Sequence, residues 1–190
     1  MEDLFVLGKL LPTDKRAVAV VGSRKMTPRG MELTKKYVKE LVKEKITIVS
    51  GLARGIDTIA HITALENGGR TIAVLGSGLD IIYPPENKEL AERITKSGCL
   101  ISGFPYDTKP EGKNFLARNR IIVKLSLAVL VIEGLRRSGT LSTASHAGND
   151  GVEVFAIPGS EACDYLIDNG ATVANSPKDV IKYLKQIESI

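Results

Sequence analysis

Tryptophan is absent from this chain, and there are only two cysteines, two histidines and three methionines. Two histidines are too few to build a histidine-rich metal centre, so neither a metal nor another cofactor is expected. Cys99 and Cys163 form no C-x-x-C arrangement, which argues against a zinc or redox motif. Two isolated thiols suit a reducing compartment, and a cytoplasmic location is expected. Cys99 opens the apolar run "CLISGF" and reads as a small core residue. No apolar stretch approaches the ~18–20 residues of a membrane span. The start, "MEDLFVLGKL", has acidic residues and too short an apolar run for a signal peptide. Linkers, low-complexity tracts and internal repeats are also missing, so residues 1–190 are expected to form one domain.

What is present is an ordinary globular composition, 43% apolar and 25% charged. The net charge of +4 neither requires nor excludes a polyanionic partner, so its distribution matters more than its sum. Apolar, β-rich runs alternate with helical patterns throughout. Strands are expected at 17–22, 46–51, 71–76, 99–104, 127–134 and 152–159, with a short one in "ATVANS". Helices are expected at 29–44, 55–69 and 86–98, from about Asn114, from about Ser142, and after Ser176, which can cap with Pro177 at the first helical position. This alternation predicts an α/β fold with a doubly wound, mostly parallel sheet of extended Rossmann-like type. Ligands of such sheets sit beyond the carboxyl ends of the strands, near the switch point.

Lysines mostly decorate helices, as Lys35, Lys36, Lys39 and Lys43 do. Arginines do not. Arg24, Arg29, Arg54, Arg118, Arg120, Arg136 and Arg137 all follow expected strands, which would gather them at one edge of the sheet. Guanidinium groups are bidentate donors to phosphate and stack on flat rings. The competing reading is that individual arginines pair with Asp57, Asp80, Glu86 or Glu133.

Three loops have anion-binding character. "GSRKMTPRG" (22–30), containing Gly22, Ser23 and Arg24, stands where a dinucleotide fold carries G-x-G-x-x-G but lacks the second and third glycines, so an ordinary NAD site is not expected. "SGLARGIDTIAH" (50–61) is a Gly-rich turn into a helix. "EGLRRSGTLSTASHAG" (133–148) puts Ser138, Gly139 and Thr140 at a helix start beside Arg136 and Arg137, a phosphate-holding arrangement without a P-loop signature. Phe115 and Arg118, three apart, would share a helical face on which a base stacks and a phosphate pairs. The competing reading puts Phe115 in the core. Asp57 and His61 are four apart and could touch, so a triad with Ser50 or Ser142 is conceivable, but G-x-S-x-G is absent. Glu133 could act as an acid or base, or hold an arginine.

"GSR", "SGLARGIDTIAH", "ALENGGRTIAVLGSGLDIIYPPEN", "FLARNRI", "LVIEG", "SGTLSTA" and "VFAIPG" together resemble the DNA-processing protein A family, also called Smf, over about residues 16–183. The resemblance implies a Rossmann-like domain that binds single-stranded DNA without catalysis and forms homodimers. It also implies that the strand is held for a RecA-type recombinase during DNA uptake, recombination and natural transformation. Carried over, the pocket would involve Arg24, Arg54, Lys113, Phe115, Arg118, Asn119, Arg120 and the Gly139–Thr140 loop. The chain departs from the family at Gly103, where an acidic residue is usual, and no N-terminal helical or C-terminal winged-helix domain is expected. An alternative is a nucleoside-monophosphate-binding, phosphoribohydrolase-like enzyme of the lysine-decarboxylase-like group, using Glu133 and the Ser138–Thr143 loop, although "RRSGT" replaces the PGGxGT signature of that group. A third reading is a regulatory domain sensing a small phosphorylated ligand.

Overall fold

A computed structural model describes residues 4–136 and 138–189. In chain order the elements are β1 (Phe5–Gly8), β2 (Ala17–Val21), α1 (Pro28–Lys43), β3 (Thr47–Ser50), α2 (Ile56–Glu66), β4 (Thr71–Leu75), α3 (Lys88–Ser97) and β5 (Cys99–Ser102). They continue with α4 (Gly112–Lys124), β6 (Ala128–Val131), α5 (Gly139–Asn149), β7 (Glu153–Ala156), α6 (Glu161–Asp168), β8 (Thr172–Val173) and α7 (Pro177–Ile187). The strands form one sheet in the order β1-β5-β4-β3-β2-β6-β7-β8. All pairings are parallel except β1 with β5.

Continuous apolar strands require cover on both faces. Alternate residues of β2 supply the two sides. Val18 and Val20 pack under Tyr37 and Leu41 of α1, Ile56 and Ala60 of α2, and Val180 and Leu184 of α7. Ala17, Ala19 and Val21 meet Ile122 and Val123 of α4, Ala147 of α5 and Cys163 of α6. Leu90, Ala91 and Ile94 of α3 extend the first layer over Ala73, Leu75 and Leu100. Burying each large side chain contributes ~1.5–3 kcal/mol, which is what holds helices of 8–16 residues that would be marginal alone.

The doubly wound parallel sheet is as the alternating pattern predicts, and Cys99 is buried as expected. The last helix starts as predicted, with Pro177 in its first turn and the Ser176 N–H donating to Asp179 at 2.7 Å. Two elements were not anticipated. β1 is a four-residue edge strand held by pairing with the distant β5, and α6 is a short helix in the segment after "AIPG". Two starts also move: α4 begins at Gly112 rather than near Asn114, and α5 at Gly139 rather than Ser142.

The chain builds β2 to β5 outward in one direction, then returns to add β6 on the other side of β2. The connection after β2 leaves toward α1 and that after β6 toward α5, on opposite faces. Their divergence opens a crevice at the carboxyl ends of β2 and β6.

Candidate nucleic-acid interface

The crevice has a volume of about 670 Å³. Val21, Ala53, Asp57, Ile122 and Thr143 line it, together with Gly22, Ser23, Ser138, Gly139 and Thr140 from the loops. Arg24, Lys25, Gly112, Phe115, Leu116, Arg118, Asn119 and Leu135 complete it. Nine of the twelve residues expected from the sequence therefore share one concavity: Gly22, Ser23, Arg24, Phe115, Arg118, Asn119, Ser138, Gly139 and Thr140.

Each loop is fixed by its own bonds. Ser23 donates its N–H to the Glu133 carbonyl at 3.0 Å and accepts from the Ile56 N–H at 3.1 Å. Gly55 lies at φ +76°, and a Cβ there would run into the Ser23 carbonyl, so this close approach requires glycine. The preceding Leu52 is buried at φ +58°, a left-handed conformation that costs a leucine energy and is kept by the surrounding packing. Asp57 accepts from the Gly51 and Ala53 N–H groups at 3.1 and 3.3 Å, closing the 50–57 turn. Burial pushes its carboxyl upward, opposed by the Arg118 charge and those N–H bonds. At the start of α5, Ser138 is an extended N-cap that makes no side-chain capping bond, so early helix N–H groups are left to a ligand or solvent. The Asn119 amide donates to the Gly139 carbonyl at 3.4 Å, tying α4 to this loop.

Phe115 is half-buried in the wall. Arg24 lies over its ring at 5.2 Å, Arg118 at 5.8 Å, and the Tyr83 ring at 5.7 Å with a 47° tilt. Phe115 is thus an aromatic wall of the crevice rather than a core residue.

Several arginines differ from expectation. Arg118 is 3% exposed, and its Nη1 donates to the Gly51 and Val74 carbonyls at 2.5 and 2.7 Å. It braces two strand ends from below instead of projecting a free fork. Burial pulls its guanidinium down to about 10, so it stays protonated at neutral pH. Arg54 forms an ion pair with Glu86, one of the acidic partners weighed from the sequence, beside rather than inside the crevice. Lys113 pairs with Glu111 at 3.0 Å, Arg120 is exposed, and neither lines the crevice, because helical geometry turns them away from the face of Phe115 and Arg118. Arg29 donates to the Pro158 carbonyl at 2.8 Å, and Arg136 lies 4.8 Å over the Tyr165 ring. Arg137 lies outside the described residues.

Two groups weighed for hydrolysis are engaged elsewhere. Glu133 is buried and accepts from the Thr27 N–H at 2.7 Å and the Thr27 hydroxyl at 2.6 Å. It anchors the start of α1, and among the described residues it holds no arginine. His61 does not meet Asp57. It packs against Thr71, with 2.7 Å between Nδ1 and the hydroxyl, and burial lowers its pKa to about 3, so the ring is neutral.

Tyr83, Lys25, Leu116 and Leu135 were not singled out in the sequence. Tyr83 had a readable signal, an aromatic residue in the Gly- and Pro-rich segment after β4. Leu116 and Leu135 are 53% and 63% exposed on the crevice rim, which composition cannot reveal.

A profile described as DNA recombination-mediator protein A matches residues 2–185. Protein Smf of Synechocystis is 45% identical over 97% of this chain and 49% of its own length. DNA processing protein DprA of Streptococcus pneumoniae is 44% identical, and its crystal structure superposes with a TM-score of 0.89 over 94% of this chain and 65% of that one. A structure of DNA processing protein A from Helicobacter pylori, described as revealing a unique single-stranded DNA binding mode, is 31% identical with a TM-score of 0.88 over 96% of this chain and 86% of that one. The chain spans about half the length of the Synechocystis protein. On matches of this extent the chain belongs to the DNA recombination-mediator protein A family.

Proposed function

We propose that this chain binds single-stranded DNA in the crevice at the switch point, and that it does so as a binding protein without turnover. The observation that carries the reading is the arrangement at Phe115. A ring flanked by Arg24 shares the crevice with the start of α5, whose N-cap Ser138 makes no side-chain capping bond to the early N–H groups. Aromatic faces stack on unpaired bases, and guanidinium and N–H groups take phosphates. Nothing in this combination reads base edges, so sequence preference should be weak. The single-stranded DNA binding named for the Helicobacter pylori relative supports it. Holding the strand for a RecA-type recombinase, homodimer formation, a role in DNA uptake and transformation, and work in the cytoplasm extend the same proposal. Among the described residues no helix is long and apolar enough to cross a membrane.

The nucleoside-monophosphate enzyme is the weaker reading, because both carboxylate oxygens of Glu133 are engaged by Thr27. A salt-titrated binding assay tests the proposal, comparing single-stranded DNA, duplex DNA and RNA with Arg24→Ala and Phe115→Ala variants. Single strands should bind best, with affinity falling steeply with salt as counterions are released. Phe115→Ala should cost ~10-fold or more through lost stacking. Equal binding of all three polymers by the unmodified chain and both variants overturns it.

A further inference from the structure

Beyond the crevice, rings and guanidinium groups continue in a row. Arg24 lies 5.2 Å from the Phe115 ring, the Phe115 and Tyr83 centroids are 5.7 Å apart, and Arg54 lies 6.0 Å over Tyr83. The order is cation, ring, ring, cation. A narrow cleft lined by Arg24, Gly51, Ala53, Arg54, Tyr83 and Phe115 joins them. Tyr83 is 36% exposed, and it stands on the loop after β4 rather than on α4. The row therefore crosses from one element to another, and its far end, Tyr83 and Arg54, lies in the cleft beside the crevice and not with the α5 start.

We infer that Tyr83 is a second base-stacking step and that a bound single strand leaves the crevice across it toward Arg54. This rests on the single-stranded DNA reading and adds a path and a residue to it. Neighbouring nucleotides alternate a flat base with a phosphate, and the row offers two adjacent rings for two bases with a guanidinium group at each end for the phosphates that flank them. The 47° tilt between the rings cannot serve two bases stacked parallel as in a duplex, and it suits two bases splayed apart. A phosphate beyond either base meets Arg24 at one end or Arg54 at the other.

The test uses the full chain with an oligothymidylate series and with strands carrying the fluorescent base 2-aminopurine at successive positions. Two adjacent positions should change their emission on binding, one at Phe115 and the next at Tyr83. Tyr83→Ala should abolish the change at the second position only. It should also weaken longer strands ~10-fold while leaving the shortest binding strands unaffected. Tyr83→Phe keeps the ring and should retain the unmodified length dependence, which a purely structural hydroxyl would not. A single responding position in the unmodified chain overturns the inference, with no variant needed. So does Tyr83→Ala binding that matches the unmodified chain at every length, or that is weakened equally at all lengths. No binding of any strand by the unmodified chain removes the reading of the crevice itself, and this inference falls with it.

Discussion

Arg118 closes over Gly51. Its Nη1 donates to the Gly51 carbonyl at 2.5 Å, and a Cβ at position 51 would occupy the space of the guanidinium. The same nitrogen reaches Val74, so one buried cation ties together the carboxyl ends of β3 and β4. Bonds to a charged donor are worth ~1.5–3 kcal/mol each, and their loss strands two buried carbonyls. Arg118→Ala should therefore destabilise the fold by ~2–4 kcal/mol, read as a lower urea midpoint. Any loss of DNA affinity should follow from that, and an unchanged midpoint would show that Arg118 is no brace.

His61 gives a pH prediction with a definite sign. Its pKa is about 3 in the folded chain, because burial and then the Arg118 charge disfavour the imidazolium, against 6.5 ordinarily. Between those values the unfolded chain holds the extra proton, so stability rises with pH across the window and is lost as pH falls through it. At pH 4 the loss relative to pH 7 is about 3 kcal/mol from this group. Asp57 shifts upward and acts in the opposite sense. Denaturant melts from pH 7 to pH 4 should show the unmodified chain losing more stability than His61→Leu. Parallel curves would refute a buried neutral imidazole.

Glu133 should matter to stability and not to chemistry. Its carboxylate accepts two bonds from Thr27 and packs against Gly30. Glu133→Gln preserves shape but cannot accept both bonds as a carboxylate does. A loss of ~1–2 kcal/mol is expected in a thermal or urea melt, with single-strand binding retained once the protein is folded. Release of free base from nucleoside monophosphates by the unmodified chain, abolished in Glu133→Gln, would instead make Glu133 a catalytic acid or base.

The sheet was legible because buried parallel strands are unbroken apolar runs, as "AVAVV" in β2 and "TIAVL" in β4 are, and period and punctuation suffice to find them. β1 escaped because "FVLG" is short and partly exposed, and becomes a strand only by meeting β5. The loops of the crevice were legible as glycine, hydroxyl and arginine segments after strands. What each arginine does was not. Arg118 and Arg120 are two residues apart on α4, yet one is buried on strand carbonyls and the other faces outward. Sequence gives the angle between them but not the depth of the helix in the molecule. Tyr83 and Phe115 come from segments 32 residues apart, and only the fold brings their rings to 5.7 Å.

Glu86 holds Arg54 in the geometry a phosphate would use. Arg54 Nη2 donates to Glu86 Oε2 at 3.1 Å while its Nε contacts Oε1, a two-pronged pairing. Both side chains are 52% exposed, so the pair is screened and exchangeable. A strand crossing Tyr83 competes with this carboxylate for Arg54, which therefore neutralises a phosphate only in part in the unmodified chain. Glu86→Gln removes the competitor and leaves the arginine free to pair. Affinity for single strands at low salt should rise ~2–5-fold, and the salt dependence should steepen by ~0.7 in log–log slope, the equivalent of one phosphate neutralised on a single strand. Removal of a distant negative charge would raise affinity without adding a contact, so the slope is the decisive measurement. An unchanged slope in Glu86→Gln would place Arg54 outside the path of the strand.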